Sequence, residues 1–442
     1  MKHKILIFLL LFSFGASLFA LDEIAGKTQD SKAEVFEVDI ETAVKSALES
    51  QVSIKTSEIE LAQSERNYNH SWNKVLPSLN ASVTGGESGL VTNSSENALT
   101  VKAGVNASLT FDFGLAAKIK ALKAAYESGQ KDYADTVRQI EYEVRKSFYA
   151  LLYMQSQVES SEESLEEYKN QYEQMKEKKS RGLVPEIDLL NSQVNYESAK
   201  ISLKNTQKSY VNALLEFLNE TGIQVEHNQK VALKGSLDDC EEMMNFDFDA
   251  MQIESVLEKN SSVRALMDSL EQAKLSKDQL AASSFLPSLT FSAGINPYIY
   301  SYGLSSKTST VSDSWSASLG LSFSLDNLIP GSAAKDSVKD LEDSIASLEL
   351  QLAEKKQEIK TGIFEMLNEI EIAKETLENC KLNVELAKKT YDMALVAYKN
   401  GTKDISSLQT IQTSYTNAQL QLRNQQLTLI DNILELKNTI GE

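Results

Sequence analysis

Residues able to do chemistry are few and scattered in this chain. Beyond the first twenty positions only His70 and His227 remain as histidines, and neither has a cysteine or histidine at metal-ligand spacing. Cys240 and Cys380 are too few for a disulfide framework. Cys380 falls seven residues after Ala373 and seven before Ala387, which predicts a small buried hydrophobe. Cys240 lies in the run Asp238-Asp239-Cys240-Glu241-Glu242, where an exposed thiol or a bridge to Cys380 are both open. That run has the charge of a calcium site without its loop spacing, so a solvated face is expected. A glycine-rich phosphate loop and a nucleophile turn are both missing from the sequence. The expectation is a protein with no catalytic residues, no metal and no cofactor.

With no reaction chemistry in view, the elements themselves decide. Val137, Val144, Leu151, Val158, Leu165 and Tyr172 recur every seven residues, interleaved with Ile140, Ser147, Met154, Ser161, Tyr168 and Met175. This is the pattern of a coiled coil. Gly182 and Pro185 interrupt it, glycine through a left-handed C-cap and proline because it cannot continue a helix. A second heptad follows through Leu189, Tyr196, Leu203, Tyr210 and Phe217. Adding 219 to each position gives Ile363, Ile370, Leu377, Val384 and Tyr391, then Gly401, then Leu408, Tyr415, Leu422, Leu429 and Leu436. The period is too long for a solenoid and reads as one large unit duplicated.

Composition fits long helices: 442 residues carry only 5 Pro and 18 Gly. A chain 42% hydrophobic and 24% charged is neither disordered nor a polytopic helical membrane protein. Lys2, Lys4, the apolar run from Ile5 to Phe14 and the small residues up to Ala20 read as a secretory signal, cleaved after Ala20. Without Lys2 and Lys4, 42 basic residues face 63 acidic ones, a net charge of −21. Such a chain suits neither nucleic acid nor anionic lipid.

Two stretches change period. After Leu76-Pro77-Ser78-Leu79, and again from Leu99 to Phe113, apolar residues alternate with Thr, Asn, Ser, Lys and Gly. Leu286-Pro287-Ser288-Leu289 repeats the first opening 210 residues later and leads into a second alternating pair that closes on Trp315 to Leu325. Alternation of this kind is a two-faced strand. The expected organisation is a signal at 1–20, a first repeat at 21–222, a linker or equatorial region at 223–258 and a second repeat at 259–442. Within the first repeat come a helix from about Val38 to Asn73, a β-hairpin at about 76–113, a long helix at about 116–180, a tip at 181–185 and a helix at 186–222. The second has a helix, a β-hairpin at about 286–325, a long helix at about 332–399, a tip at 400–404 and a helix at 405–439.

No other apolar sheet is available to cover these four strands, and their aromatic ends (Phe111, Phe113, Tyr298, Tyr300, Trp315) suit a membrane-spanning sheet. Four strands cannot close a barrel, and open edges are not tolerated in lipid, so several chains are required. The 65 residues from Ala116 to Ser180 would extend roughly 100 Å as a helix, far beyond a bilayer. The helix after each glycine is shorter, so the helix before each hairpin is expected to complete the length. The acidity of the chain points to a cation-favouring lumen.

At this point the residues resemble the TolC family of outer-membrane efflux proteins. The likeness rests on the duplicated Leu-Pro-Ser-Leu openings, on Thr110-Phe111-Asp112-Phe113-Gly114 before a long helix, and on two tips. These read Gly182-Leu183-Val184-Pro185-Glu186-Ile187-Asp188 and Tyr398-Lys399-Asn400-Gly401-Thr402-Lys403-Asp404. The resemblance implies a mixed α+β, mostly α fold: long coiled-coil hairpins forming an α-barrel, with four strands per chain contributing to a trimeric 12-stranded transmembrane β-barrel. It implies a homotrimer in the bacterial outer membrane, in contact with its lipid and with a long periplasmic extension. It also implies two partners, a periplasmic adaptor and an inner-membrane efflux or type I secretion transporter that supplies the energy. Gly182, Leu183, Gly401 and Thr402 map onto the adaptor-contacting tips, although Arg181 and Asn400 replace the family's frequent valine. Asp188, Tyr398 and Lys403 map onto the closing network, and Ser407 and Thr410 stand where well-known members carry an acidic ring. A trimeric coiled-coil protein with a structural or adhesive role is the alternative, disfavoured because strands occur in both halves.

Overall fold

The computed structural model describes residues 35–441 except 91–92, 226–229, 240, 242–245, 247, 249–251, 296–297 and 304–313. The expected signal, the residues after it up to Glu34, His227 and Cys240 lie outside the described residues.

A short strand, β1 (Val35–Asp39), leads directly into helix α1 (Ile40–Ser50). Asp39 sets the boundary, because its side chain accepts from the Thr42 amide at 2.7 Å and caps the helix. The helix breaks at Gln51, whose backbone is extended, and resumes as α2 (Val52–Asn69). This corrects the single helix expected from Val38 to Asn73. The break is made from far along the chain: Ser46 Oγ and Ser50 Oγ donate to the Thr221 carbonyl at 2.8 and 2.9 Å, and Gln51 Nε2 donates to Glu220 O at 3.1 Å.

Strands β2 (Ser78–Leu90) and β3 (Asn93–Phe111) form the first hairpin, followed by α3 (Leu115–Ser180) and α4 (Glu186–Thr221). Next come β4 (Lys230–Lys234), α5 (Ile253–Leu257) and α6 (Ser261–Phe285). The second hairpin consists of β5 (Ser288–Ile295), β6 (Tyr298–Gly303) and β7 (Trp315–Ser322). Helices α7 (Ala333–Lys399) and α8 (Ile405–Ile440) complete the chain. At 66 residues α3 is roughly 100 Å long. It packs on α4 over one part of its length and on α2 over the other, and α7 is covered in the same way by α8 and α6.

The sheet is antiparallel in the order β2-β3-β5-β7, with β6 continuing β5 along β3 after a register shift between Val101 and Lys102. Pairing of β3 with β5 joins the two repeats. Among the described residues, β2 and β7 each have a strand neighbour on one side only. Among the described residues no helix is long and apolar enough to cross a membrane.

The main apolar core lies midway along the helices and draws on both repeats. Val38, Phe148, Phe217, Leu377, Ile430 and Leu436 belong to one cluster with at most 2% of each exposed. Strand β1 pairs with β4 in parallel beside it, Val35 opposite Lys230 through Asp39 opposite Lys234. The expected linker is therefore partly built into this girdle. The acidic run is solvent-facing as expected, with the Asp238 and Glu241 side chains 61% and 63% exposed, and it is also partnered: Asp238 Oδ1 accepts from Arg423 Nη1 at 2.7 Å and Gln426 Nε2 at 2.9 Å, and Glu241 pairs with Lys381 at 3.1 Å. Partial burial raises the Asp238 carboxyl, but these donors outweigh it and hold the pKa below the ordinary value. Cys380 is a free thiol only 3% exposed, and burial pushes its pKa up.

Candidate functional site

The two hairpin tips lie at the end of the helices remote from the sheet, and both turn by the same backbone device. In the first, Gly182 N donates to Lys179 O at 2.9 Å and Leu183 N to Lys178 O at 3.0 Å. In the second, Gly401 N donates to Tyr398 O and Thr402 N to Ala397 O, each at 3.0 Å. These paired bonds form the Schellman closure, which needs a left-handed residue; Gly182 and Gly401 have φ of 72° and 74°. No atom would meet a Cβ at either glycine, so conformation rather than space selects the residue type. Leu183, beside the first turn, is 68% exposed. Thr402, beside the second, caps it further by donating Oγ1 to Ala397 O at 2.9 Å.

Of the residues mapped onto the closing network, the chain brings none of the three together. Asp188 lies in the first turn of α4, where its charge favours the helix dipole. Lys403 is exposed in the second tip. Tyr398 instead faces α3: Lys178 Nζ donates to its hydroxyl at 3.2 Å and stands 4.8 Å from the ring centroid. Ser407 serves as the amide partner of the α8 cap, its N–H donating to Asp404 Oδ1 at 2.8 Å. Hydrogen bonding from Ser407, through its side chain first and this amide second, holds the Asp404 carboxyl below its ordinary pKa. Thr410 is exposed and returns its hydroxyl to Ser406 O at 3.0 Å.

Further contacts tie the hairpins together above the tips. Asn195 Nδ2 on α4 donates to Gln409 Oε1 at 3.2 Å, Gln409 Nε2 on α8 donates to Gln171 Oε1 at 3.0 Å, and Gln171 Nε2 on α3 donates to Gln412 Oε1 at 3.0 Å. Gln171 and Gln412 are buried, and each amide satisfies the next without a net charge. One level further from the tips, Tyr391 donates its hydroxyl to Glu167 Oε1 at 3.1 Å and stacks on Tyr415 at 5.8 Å. Burial, then the Glu167 charge, push the Tyr391 pKa up to about 12. Burial also raises Glu167, opposed by the tyrosine bond and reinforced by Glu163. None of Lys178, Glu167, Gln171, Gln409, Gln412 or Asn195 stood out in the sequence. They flank the heptad stripe as ordinary polar residues, and only the buried position of two glutamines separates them from a solvated face.

A sheet of four strands joined to two long helical hairpins by a duplicated unit is the architecture of an outer-membrane channel subunit. The sequence model of the outer membrane efflux protein family matches residues 43–222 and 252–442, and the chain belongs to that family. No curated protein matches it by sequence. Among solved structures, CusC superposes with a TM-score of 0.76 at 16% identity, covering 94% of this chain and 95% of that one. The CmeC outer membrane channel of Campylobacter jejuni gives 0.73 at 16% identity, over 91% and 85%. The open state of the MtrE outer membrane channel of Neisseria gonorrhoeae gives 0.71 at 15% identity, over 95% of both chains. At such identities the likeness concerns the fold.

Proposed function

We propose that three copies of this chain close into a duct through the bacterial outer membrane, continued into the periplasm by the helical hairpins. On this reading it is the exit channel of a tripartite efflux pump or type I secretion system, receiving cargo from an inner-membrane transporter through a periplasmic adaptor. The carrying observation is that one chain leaves complementary surfaces uncovered. Strands β2 and β7 each present an open edge, which lipid does not tolerate. On α4, Ile187, Leu190, Val194 and Ile201 form a stripe 50–63% exposed. On α7, Leu382, Leu386, Met393 and Val396 form another, 52–66% exposed. The two stripes begin at equal distances from their tip glycines and lie on different elements, so a head-to-tail ring covers both. Four strands from each of three chains supply the twelve of a closed barrel.

The tips then carry the two proposed sites. Gly182, Leu183, Gly401 and Thr402 are the adaptor-contacting surface, and Asp188, Tyr398 and Lys403 close the periplasmic end, with Lys178 holding Tyr398 within each chain. Ser407 and Thr410 leave that constriction without an acidic ring.

The test is a cross-link. With Cys240 and Cys380 replaced by serine, Leu190→Cys combined with Met393→Cys is expected to oxidise to a covalent trimer, while either single variant stays monomeric on a non-reducing gel. A covalent dimer alone, or no product, overturns the ring. Planar-bilayer recording of the same trimer should show small current steps. A covalent trimer that never conducts would instead support a structural coiled-coil protein.

A further inference from the structure

The duplication relates the strands of one repeat to those of the other, position by position. Leu76-Pro77-Ser78-Leu79 leads into β2 as Leu286-Pro287-Ser288-Leu289 leads into β5, so each β2 position corresponds to a β5 position 210 residues later. Within the hairpins Ser78 stands opposite Ser108, and Ser288 opposite Ser322. Ser108 on β3 therefore corresponds to Ser322 on β7, a step of 322 − 108 = 214. The local sequences agree: Ser108-Leu109-Thr110-Phe111-Asp112 and Ser322-Phe323-Ser324-Leu325-Asp326 match in every hydroxyl, apolar and acidic position.

One seam between repeats is closed inside the chain, by β3 against β5, from Val105 opposite Ile295 to Phe111 opposite Leu289. Its equivalent is β7 against β2, and these strands stand at the two ends of the order β2-β3-β5-β7. The strand ends differ accordingly. Strand β3 runs to Phe111, three residues past its last β2 partner, because β5 supports it there. Strand β7 stops at Ser322, level with the first residue of β5, although the Ser324 backbone is already extended. Val83 on β2 and Leu321 on β7 are each 72% exposed.

We propose that β7 of one copy pairs antiparallel with β2 of the next, in the register that β3 and β5 adopt within the chain. Carrying the steps of 214 and 210 across places Ser322 opposite Ser82 of the next copy, Leu321 opposite Val83, Phe323 opposite Ala81 and Ser324 opposite Asn80. These four pairs match in kind. The apolar ones fall on the face that carries Leu79 and Leu319, exposed at 73% and 71%. Ser82 extends a hydroxyl row in which Ser288 and Ser322 already lie 3.1 Å apart. A slip of one residue would turn every apolar side chain of β2 to the polar face, so the nearest competing registers are slips of two, which set Ser322 against Asn80 or Thr84. This rests on the ring of copies, and it fixes which edges meet and at which residues.

The experiment is disulfide cross-linking of the full-length mature protein in lipid vesicles, with Cys240 and Cys380 replaced by serine. Ser322→Cys is combined in turn with Ser82→Cys, Asn80→Cys and Thr84→Cys, and covalent trimer is followed on non-reducing gels during oxidation. Directly opposed residues lie within disulfide reach, whereas positions two residues along lie about 7–8 Å away, beyond it. The Ser82→Cys combination is expected to give covalent trimer about tenfold faster than either neighbour. Ser108→Cys with Ser292→Cys, the corresponding pair inside the chain, is expected to oxidise without forming trimer. Failure of that internal bridge overturns the register from which the seam is drawn. Fastest trimer formation with Asn80→Cys or Thr84→Cys overturns the register and leaves the ring standing. No trimer from any of the three, while Leu190→Cys with Met393→Cys still joins the copies, overturns the pairing of β7 with β2 alone. If neither set joins them, the ring and this proposal fall together.

Discussion

The two hairpins share a skeleton and differ in which surface they leave bare. Both close on a left-handed glycine, 401 − 182 = 219 positions apart, and both stack a tyrosine pair at matching places, Tyr172 on Tyr196 and Tyr391 on Tyr415. In the first hairpin the returning helix α4 exposes the apolar stripe, whereas its counterparts on α8 to Ile187, Leu190 and Val194 are Ser406, Gln409 and Thr413. In the second, the long helix α7 exposes Leu382, Leu386, Met393 and Val396, where α3 has Glu163, Glu167, Gln174 and Glu177. Duplication has kept the fold and inverted the faces. Each hairpin thereby offers the surface its counterpart lacks, which suits a ring of copies rather than a self-contained pair. The same divergence lets the first hairpin hold the second, since Glu167 and Lys178 on α3 take up Tyr391 and Tyr398 on α7.

The sharpest way to break this comparison is a charge on one stripe and on its counterpart. Val194→Asp should abolish the trimer, at least a tenfold loss of cross-linked product or about 1.4 kcal/mol, while Thr413→Asp should leave it intact. Equal sensitivity of the two positions to light-scattering mass would refute the inverted faces. A core substitution tests what the hairpins share: Leu377→Ala, at a fully buried site, should cost about 2–5 kcal/mol in a denaturant melt. Next comes the hold between hairpins. Lys178→Ala and Tyr398→Phe should each raise single-channel conductance; if only Asp188→Ala and Lys403→Ala do so, closure lies between chains and not within them.

Alkaline titration gives a smaller signal. The folded Tyr391 pKa, about 12, lies above the ordinary tyrosine value of about 10, so its stabilising contribution is complete below pH 10 and is lost as pH rises through 12. Tyr391→Phe should therefore flatten the stability decline in that window, and an unchanged decline would show that the buried Tyr391 hydroxyl is not the group responsible. The smallest effect is expected at the first tip, where Arg181 pairs with Glu177 while both are largely exposed. Arg181→Ala should change stability by no more than about 0.5 kcal/mol, and a larger loss would show that charge, rather than the glycine, shapes that turn.

The long helices and alternating strands were legible because each buries or exposes one face at a fixed period, and the tip glycines because a left-handed turn restricts residue type. Less was legible where the cause lies far away in sequence. The helix break at Gln51 depends on carbonyls at 220 and 221, and β1 is too short to announce itself without β4. Asp238 is the solvent-facing charge it looked like, but nothing local announced its partners Arg423 and Gln426. At the candidate site, Tyr398 could be singled out from its place before the glycine. Its partner Lys178 could not, because nothing local distinguishes it from Lys176 or Lys179.

The girdle core has a consequence for how the chain reaches its final form. Residues near the C-terminus complete it, with Ile433, Leu436 and Ile440 fully buried and Asn438 Nδ2 donating to Gln139 Oε1 across 299 positions. Contacts so distant in sequence form only after a large loop has closed, which slows folding and postpones it. The girdle core is thus complete only once the last helix is in place.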